Sequence, residues 1–177
     1  YIRYGMYKKS CEMCMKDMKT YVPNFFLFYL FFPRYYKDYF MVSEDKELTY
    51  RVMDSMKIKQ PTLLLQYKKG TFFDKNKNTI SAKEADQIIE KSKAEKLFFK
   101  PTMGLGGNGI LVFNKKEYFI DKLGNRITAK LINQLLKESE NYLLQEGVSQ
   151  HDEINQIYPH AVNTFRVYTE FRNGKAR

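Results

Sequence analysis

Residues 95–113, EKLFFKPTMGLGGNGILVF, combine a hydrophobic segment that ends in Lys-Pro, a glycine-rich loop and a second hydrophobic segment. The loop at 104–109 holds four of the nine glycines in the chain. Glycine lets a backbone turn its N–H groups toward a ligand without side chains in the way. A loop of this kind between two strands, with Lys100 on the first strand, favours a polyphosphate ligand.

The glycine spacing alone leaves two familiar nucleotide-binding folds to consider. Gly104-x-Gly106-x-x-Gly109 satisfies the dinucleotide-binding expression, but that motif requires a helix to begin within it. Residues 110–113 predict a strand instead, which argues against a Rossmann domain. A protein-kinase flap is also strand–loop–strand, but its lysine follows the loop, and the sequence contains neither of the kinase motifs His-Arg-Asp and Asp-Phe-Gly.

Composition is that of a globular protein with anionic partners. The chain has 177 residues, a formal net charge of +10, 14 Tyr and 14 Phe. Its lysines are dispersed, which leaves nucleotide phosphates, nucleic acid and an acidic membrane surface open as partners. Cys11 and Cys14 have no second pair of ligands to complete a zinc site, so we interpret them as reduced thiols and predict no metal-ligating residue.

The first 57 residues predict a helical region. Residues 5–20 have helical spacing, and Ser43 is placed to cap a helix that runs to Met56. Between them, the uncharged aromatic run at 25–32 is shorter than the ~20 residues that a membrane-spanning helix needs. We interpret this run as a buried helical segment, with an aromatic surface that rests on a membrane interface as the alternative.

From about residue 60 the pattern changes to mixed helices and strands, which predicts an α+β fold. Strands are predicted at 60–67, 71–73, 96–100, 110–113, 142–146 and 163–171, a hairpin around 118–127, and helices at 82–94 and after Thr128. We divide the chain into a helical region at 1–57, a central lobe at 58–145 that contains the glycine loop, and a segment at 146–177 that begins with a hinge. We find no internal repeat.

Several strings together resemble the ATP-grasp superfamily. Lys100-Pro101 followed by the glycine loop is similar to its Lys-Pro strand and phosphate-covering loop, and residues 143–148 resemble its hinge strand. Gln150-His151 and Asn163-Thr164-x-Arg166 are similar to one branch, the sugar-transfer-associated ATP-grasp family of bacterial surface-polysaccharide genes. Asp45-Lys46 and the Pro-Thr strand at 61–62 resemble the segments that precede the central lobe, so the likeness extends over roughly residues 20–177.

The resemblance implies a nucleotide-binding role for specific positions. Lys100 would contact the α- and β-phosphates and Lys46 would be a second phosphate lysine. Backbone amides of the loop would cover the β- and γ-phosphates, at Gly104, Gly106, Gly107, Asn108 and Gly109. The adenine slot would be lined by Gln145, Glu146 and Val148, and the ribose would be reached by Asp152 or Glu153. Arg166 would be catalytic, because it would stabilise charge on the transferred phosphoryl group.

The activity implied is that of an ATP-dependent ligase. Such an enzyme would activate a carboxylate as an acyl-phosphate, with Mg²⁺ bridging the phosphates, before an amine or another nucleophile attacks. The resemblance implies a cytoplasmic enzyme, with membrane association at the inner face open through residues 25–40. A basic, aromatic-rich nucleic-acid-binding module is the alternative, and it leaves the glycine loop without a purpose.

The ends of the sequence suggest a piece of a longer protein. The chain begins at Tyr1, and residues 173–177 read as a turn in the middle of a hairpin. We therefore expect the second ATP-grasp lobe to be incomplete, the magnesium ligands to lie beyond Arg177, and the isolated piece to be inactive.

Overall fold

The computed structural model describes residues 16, 20, 22, 25–35, 40–104, 106–136, 141–165, 167 and 171–176. The chain divides into two compact units, Tyr1–Met56 and Lys57–Arg177. Apart from Lys16 and Thr20, the helix predicted at 5–20 lies outside the described residues.

The first unit is helical. It contains a π-helical segment Phe26–Phe31, followed by α1 Phe32–Tyr35, α2 Phe40–Glu44 and α3 Lys46–Ser55. Asp45 separates α2 from α3 with an extended backbone, and its carboxylate accepts hydrogen bonds from the N–H groups of Glu47 at 2.8 Å and Leu48 at 3.0 Å. The prediction that Ser43 caps this helix was therefore wrong, because Asp45 satisfies the orphan donors of the first turn two residues later.

The aromatic run at 25–32 is helical, as the sequence predicts, but it is not buried. Phe25 is 65% exposed, Phe28 48% and Tyr29 71%. None of the residues in the π-helical segment is buried. Among the residues that the structure describes, no helix is long and apolar enough to cross a membrane.

The second unit is built around a seven-stranded sheet and confirms the α+β prediction. Its elements are β1 Leu63–Lys68, β2 Thr71–Asp74, β3 Thr79–Ile80, α4 Ala82–Lys91, β4 Lys96–Pro101, β5 Leu111–Lys115, β6 Phe119–Ile120, α5 Ala129–Leu135, β7 Asn141–Glu146, α6 Asp152–Asn155, β8 Phe171–Arg172 and β9 Lys175–Ala176. The strand order is β3-β2-β1-β7-β4-β5-β6, and every neighbouring pair is antiparallel. The last two strands form a separate hairpin.

The strand predicted at 163–171 was wrong at 163–165 and 167, which are not in a strand, whereas Phe171 begins β8. Arg166 and residues 168–170 lie outside the described residues. The turn predicted near the end of the sequence is confirmed, since Asn173 and Gly174 both have positive φ between β8 and β9.

The sheet has one core face and one face with buried polar groups. Side chains alternate along each strand, so Leu65, Phe99 and Leu144 point to the same side, where they pack in one cluster with residues of α4 and α5. The opposite side carries Gln66 and Gln145, which are buried with 4% and 8% of their surface exposed. Burial of polar side chains on one face distinguishes it from a purely structural surface.

An internal repeat links the two ends of the sheet, contrary to the sequence-based expectation. Residues 72–87 and 119–134 are identical at eight of sixteen positions, and each segment runs from a strand through a turn into a helix. Asp74 and Asp121 hold these turns in the same way: one carboxylate oxygen of each accepts two backbone N–H groups at 2.8 Å. The other oxygen accepts the side-chain amide of Asn78 at 3.0 Å or Asn125 at 2.9 Å.

The repeated units are arranged with approximate two-fold symmetry. Each repeated segment forms a unit with the strand that precedes it and pairs with its first strand, β1 in one unit and β5 in the other. β1 and β5 run in opposite directions because β7 and β4 lie between them in a wholly antiparallel sheet. A two-fold rotation about an axis between β7 and β4 would relate them. The two strands at the centre of the sheet are therefore the ones that lie outside the repeat, and they carry Lys100 and Gln145.

Acid is expected to weaken the turns and the start of α4. Hydrogen bonds from the Ser81 backbone and side chain lower the pKa of Glu84 below 4.5, and the side-chain amides of Asn78 and Asn125 lower the pKa values of Asp74 and Asp121 below 3.8. A carboxylate whose pKa is depressed on folding stabilises the fold above its unfolded pKa. That contribution is lost as the pH falls through the folded pKa.

We therefore expect Glu84→Gln to show a shallower loss of thermal stability than the parent when the pH falls from 5 toward 3. Thermal unfolding followed by circular dichroism across this range measures it. Glu117→Gln, in the exposed β5–β6 loop, is the control and should keep the parent's pH dependence. A Glu84→Gln curve parallel to the parent's would contradict the role of the capping box.

Candidate functional site

Lys100 and Gln145 meet on the polar face of the sheet. Lys100 lies near the end of β4 and Gln145 on the adjacent strand β7, and the Lys100 Nζ donates a hydrogen bond to Gln145 Oε1 at 3.3 Å. The same Nζ lies 5.4 Å from the centroid of the Phe98 ring. Because an amide oxygen is neutral, this hydrogen bond orients the ammonium without cancelling its charge.

The glycine loop begins where β4 ends. Thr102 is buried, and its N–H donates to the carbonyl of Asn141 at 2.8 Å, which holds the first residue of the loop against β7. Positive φ angles follow at Gly104 (120°), Gly106 (69°), Gly107 (80°) and Gly109 (73°). These angles favour glycine at each position. β5 begins directly after the loop, so the strand–loop–strand prediction is confirmed.

The loop combines an open surface with one tight contact. A Cβ at Gly104, Gly106 or Gly107 would meet nothing within 4 Å, whereas a Cβ at Gly109 would lie 3.2 Å from the hydroxyl of Tyr142. Asn108 is exposed, and Leu105 lies outside the described residues. Exposed backbone with open space in front of it is what a polyphosphate-covering loop requires.

The hinge strand is central, and its two polar residues point to opposite faces. β7 pairs with β1 on one side and β4 on the other. The side chain of Gln145 joins Lys100, while the carboxylate of Glu146 accepts a hydrogen bond from the Ser92 hydroxyl at 2.6 Å. Glu146 can therefore contribute to the Lys100 face only through its backbone, because its side chain is held after the end of α4.

Gly147 allows the chain to leave β7 close to β4. Its N–H donates to the carbonyl of Lys96 at 2.8 Å. A Cβ at this position would lie 3.1 Å from the Lys96 carbonyl oxygen and 3.1 Å from a ring carbon of Phe98. A side chain here would therefore require these neighbours to move by a few tenths of an ångström.

Gly147→Ala is expected to destabilise the protein by about 1–3 kcal/mol, because the added methyl group has to displace backbone as well as a ring. Chemical denaturation gives the free energy of unfolding. Ser149→Ala, two residues further along in an exposed position, serves as the control and should change it by less than about 0.5 kcal/mol. Equal stability of both variants would mean that the hinge tolerates a side chain.

Beyond the hinge, side-chain amides hold the segment before the final hairpin. Gln150 Oε1 accepts hydrogen bonds from the Asn163 backbone and side chain, and Gln150 Nε2 donates to Asn155 Oδ1 at 2.7 Å. Asn163 Nδ2 also donates to the carbonyls of Ile154 at 3.2 Å and Tyr158 at 3.0 Å. Gln150 and Asn163 therefore have a clear structural role in fixing the loop around α6.

A cleft of about 450 Å³ lies beside this loop. Its walls are polar and apolar residues from the segment before β4 and the segment after the hinge, and include Lys93, Lys96, Val148, Gln150 and His160. Of the positions predicted to contact nucleotide, Val148 lines this cleft and Lys100 does not. Asp152 and Glu153 are exposed in the first turn of α6.

Lys46 and Arg166 are not placed relative to this face. Lys46 belongs to the first unit, where it is the half-buried first residue of α3. A cation at a helix N-terminus opposes the helix dipole, so helix stability does not explain this lysine. Arg166 lies outside the described residues.

The structure also points to a residue that the sequence interpretation missed. Gln66 is the one polar side chain within the apolar run Leu63–Tyr67, and it is 96% buried. It lies in the same cross-strand row as Leu143 and Lys100. The sequence feature that could have identified Gln66 is a single amide side chain within a run of apolar residues.

The comparison with protein families matches this arrangement. The sugar-transfer associated ATP-grasp family matches residues 30–176, which is most of the chain. The chain belongs to this family. A search of curated proteins and a search of solved structures each found no match.

Membership of the ATP-grasp family confirms the resemblance seen in the sequence and indicates an ATP-binding, ligase-like function. The chain's own residues fit a nucleotide, since Lys100 and the open glycine loop lie together at the end of β4. Within the ranges that the structure describes, no three His, Cys, Asp or Glu side chains are grouped so that they could hold a metal.

Proposed function

We propose that this protein is an ATP-dependent, Mg²⁺-requiring ligase that activates a carboxylate as an acyl-phosphate, in the synthesis of bacterial surface polysaccharide. A carboxylate oxygen would attack the γ-phosphorus and release ADP. An amine or another nucleophile would then attack the acyl carbon and release phosphate. The role in polysaccharide synthesis is supported by the sugar-transfer association of the family. We place the protein in the cytoplasm, where ATP would be present.

The observation that carries the proposal is the contact between Lys100 and Gln145 beside the glycine loop. Lys100 supplies a point charge for the α- and β-phosphates. Amides of the loop at Gly104, Gly106, Gly107, Asn108 and Gly109 would supply further donors for the β- and γ-phosphates. Gln145, with the backbone of Glu146, would border the base.

The remaining assignments are part of the same proposal. Val148 would continue the base site into the cleft, Asp152 would reach the ribose, and Lys46 would be the second phosphate contact. Arg166 would stabilise the charge that develops on the transferred phosphoryl group. Mg²⁺, when bound with ATP, neutralises phosphate charge.

The proposal accounts for the surface better than the nucleic-acid alternative does. Bases stack on aromatic side chains that are exposed. Six aromatic residues of the sheet are buried and cannot stack on bases: Tyr67, Phe72, Phe99, Phe113, Phe119 and Tyr142. The exposed aromatic run at 25–31 lies in the other unit. The net charge of +10 favours anionic partners of either kind and does not separate the two proposals.

Binding of ATP by isothermal titration calorimetry tests the proposal. We expect ATP to bind more tightly than AMP, because Lys100 and the loop would contact the phosphates beyond the first. Single-stranded oligonucleotides titrated across salt concentrations provide the comparison, since a phosphate-backbone binder weakens steeply with salt. Salt-sensitive oligonucleotide binding together with no preference for ATP over AMP would overturn the proposal.

A further inference from the structure

The segment Phe25–Tyr35, called here the aromatic segment, exposes apolar side chains around its whole circumference. Six consecutive or nearly consecutive residues are at least 38% exposed: Phe25, Phe26, Phe28, Tyr29, Leu30 and Phe31. Consecutive positions of a helix point in all directions around its axis. A helix that is apolar all round is stable when it is surrounded by protein or lipid.

The aromatic segment is helical along its length, and its rings pack on one another. The helical hydrogen bonds run through to the end of the π-helical part, where the Phe32 N–H donates to the carbonyl of Leu27. Phe25 stacks on Tyr29 with ring centroids 5.2 Å apart, and Phe28 meets Phe32 edge-on at 5.4 Å. A helical segment of this kind presents fewer unpaired N–H and C=O groups to an apolar medium than an extended chain would.

Its length favours the interface of a bilayer over its interior. Eleven helical residues extend at most about 16 Å, half of the ~30 Å hydrocarbon core. Phe and Tyr are also the side chains that suit the headgroup boundary, because their rings are apolar while Tyr keeps a polar hydroxyl. Insertion to a depth of about 5–10 Å would cover the exposed rings.

The charges around the aromatic segment complement an anionic surface. The first 40 residues contain seven lysines and arginines and three acidic residues, and basic positions lie on both sides of the segment, with Lys16 before it and Arg34 within its last turn. Each Lys or Arg near an anionic leaflet contributes about a factor of five to binding. A second copy of this chain would present the same positive charge and would be repelled.

We propose that the aromatic segment is an anchor that inserts into the interface of an anionic lipid bilayer. The proposal is independent of the ATP-binding assignment, because no residue of the aromatic segment is assigned to the nucleotide. It predicts that the protein partitions onto vesicles of phosphatidylglycerol and phosphatidylcholine, and that partitioning is at least about tenfold weaker on pure phosphatidylcholine.

The absence of tryptophan from the sequence provides a direct probe. Tyr29→Trp places a single indole at an exposed position of the segment, and Leu123→Trp places one at a turn in the other unit that is 87% exposed. On addition of anionic vesicles, the emission of Tyr29→Trp is expected to shift to shorter wavelength and to be quenched by brominated lipid. The emission of Leu123→Trp is expected to stay unchanged.

A loss-of-function variant gives the second measurement. We expect co-sedimentation with anionic vesicles to fall at least about tenfold in the triple variant Phe25→Ser, Phe28→Ser and Tyr29→Ser. The matched control is the triple variant Leu123→Ser, Phe165→Ser and Val167→Ser, whose replaced residues are 78–87% exposed. We expect this control variant to bind vesicles like the parent. The anchor would be overturned if the Tyr29→Trp emission did not shift on addition of vesicles, or if the first triple variant bound vesicles as well as the parent. It would also be overturned if the parent self-associated in the absence of vesicles and the first triple variant did not.

Discussion

Replacing Lys100 with alanine is expected to weaken ATP binding about 10- to 100-fold. A hydrogen bond to a charged group is worth about 1.5–3 kcal/mol when the partner remains desolvated, and tenfold in affinity corresponds to about 1.4 kcal/mol. The ammonium lies on the polar face of the sheet, near the start of the glycine loop, and its hydrogen bond to Gln145 is long at 3.3 Å. Its removal should therefore affect ligand more than fold.

The measurement is isothermal titration calorimetry with ATP, accompanied by thermal unfolding of each variant. Lys122→Ala is the matched control, because Lys122 is an exposed lysine in the Asp121 turn. We expect the control to bind ATP like the parent, and both variants to unfold within a few degrees of it. Parent-like ATP affinity in Lys100→Ala would remove Lys100 from the phosphate site.

A charge-conserving substitution separates electrostatics from position. Lys100→Arg keeps the positive charge but replaces a compact ammonium with a planar guanidinium. If the site needs charge alone, affinity should return to near the parent's value. Partial recovery would indicate that the ammonium has to fit between Gln145 and the loop.

Local patterns predicted the elements around the site well, because their signals are strong over short distances. The capping box at Ser81 and the Thr128 cap each begin the helix that the sequence indicated. The glycine loop was recognised because backbone with positive φ angles favours glycine. Lys69-Gly70 likewise predicted the β1–β2 turn, where both residues have positive φ.

Predictions from the sequence failed where two nearby residues could each take the same structural role, or where tertiary contacts determine the local structure. Ser43 and Asp45 are both good cap residues, and only the backbone geometry selects Asp45. The alternation at 163–171 suggested a strand, but hydrogen bonds from Asn163 to Gln150 and to nearby carbonyls take up its polar groups. The repeat was not recognised from the sequence because the turn residues differ between its two copies. The loops of the hairpins β1–β2 and β5–β6 also differ in length.

The site was only partly predictable from the sequence. The alternation of side chains along one strand does not show which residues of the adjacent strands lie on the same face of the sheet. Alternation places Gln145 and Glu146 on opposite sides of β7, but only the register of β4 shows that Gln145 joins Lys100. The same register brings Gln66 into the row of Lys100. Such pairings depend on residues far apart in sequence.

Phe99→Ala is expected to give the largest loss of stability, about 3–5 kcal/mol. Phe99 is completely buried on the core face of β4, and its ring lies 4.8 Å from the ring of Tyr142. Truncation removes the ring contact and leaves a cavity beneath the two central strands. Denaturant unfolding measures the loss, and Phe165→Ala is the control, because Phe165 is 80% exposed and should cost less than about 0.5 kcal/mol.

Together the adjacent positions 99 and 100 distinguish the two faces of the sheet. Phe99→Ala should lose stability and, where it is still folded, retain most of its ATP affinity, since its side chain points away from Lys100. Lys100→Ala should do the reverse. If both variants lost stability and affinity in the same proportion, β4 would not separate a structural face from a ligand face, and the nucleotide would have to bind elsewhere.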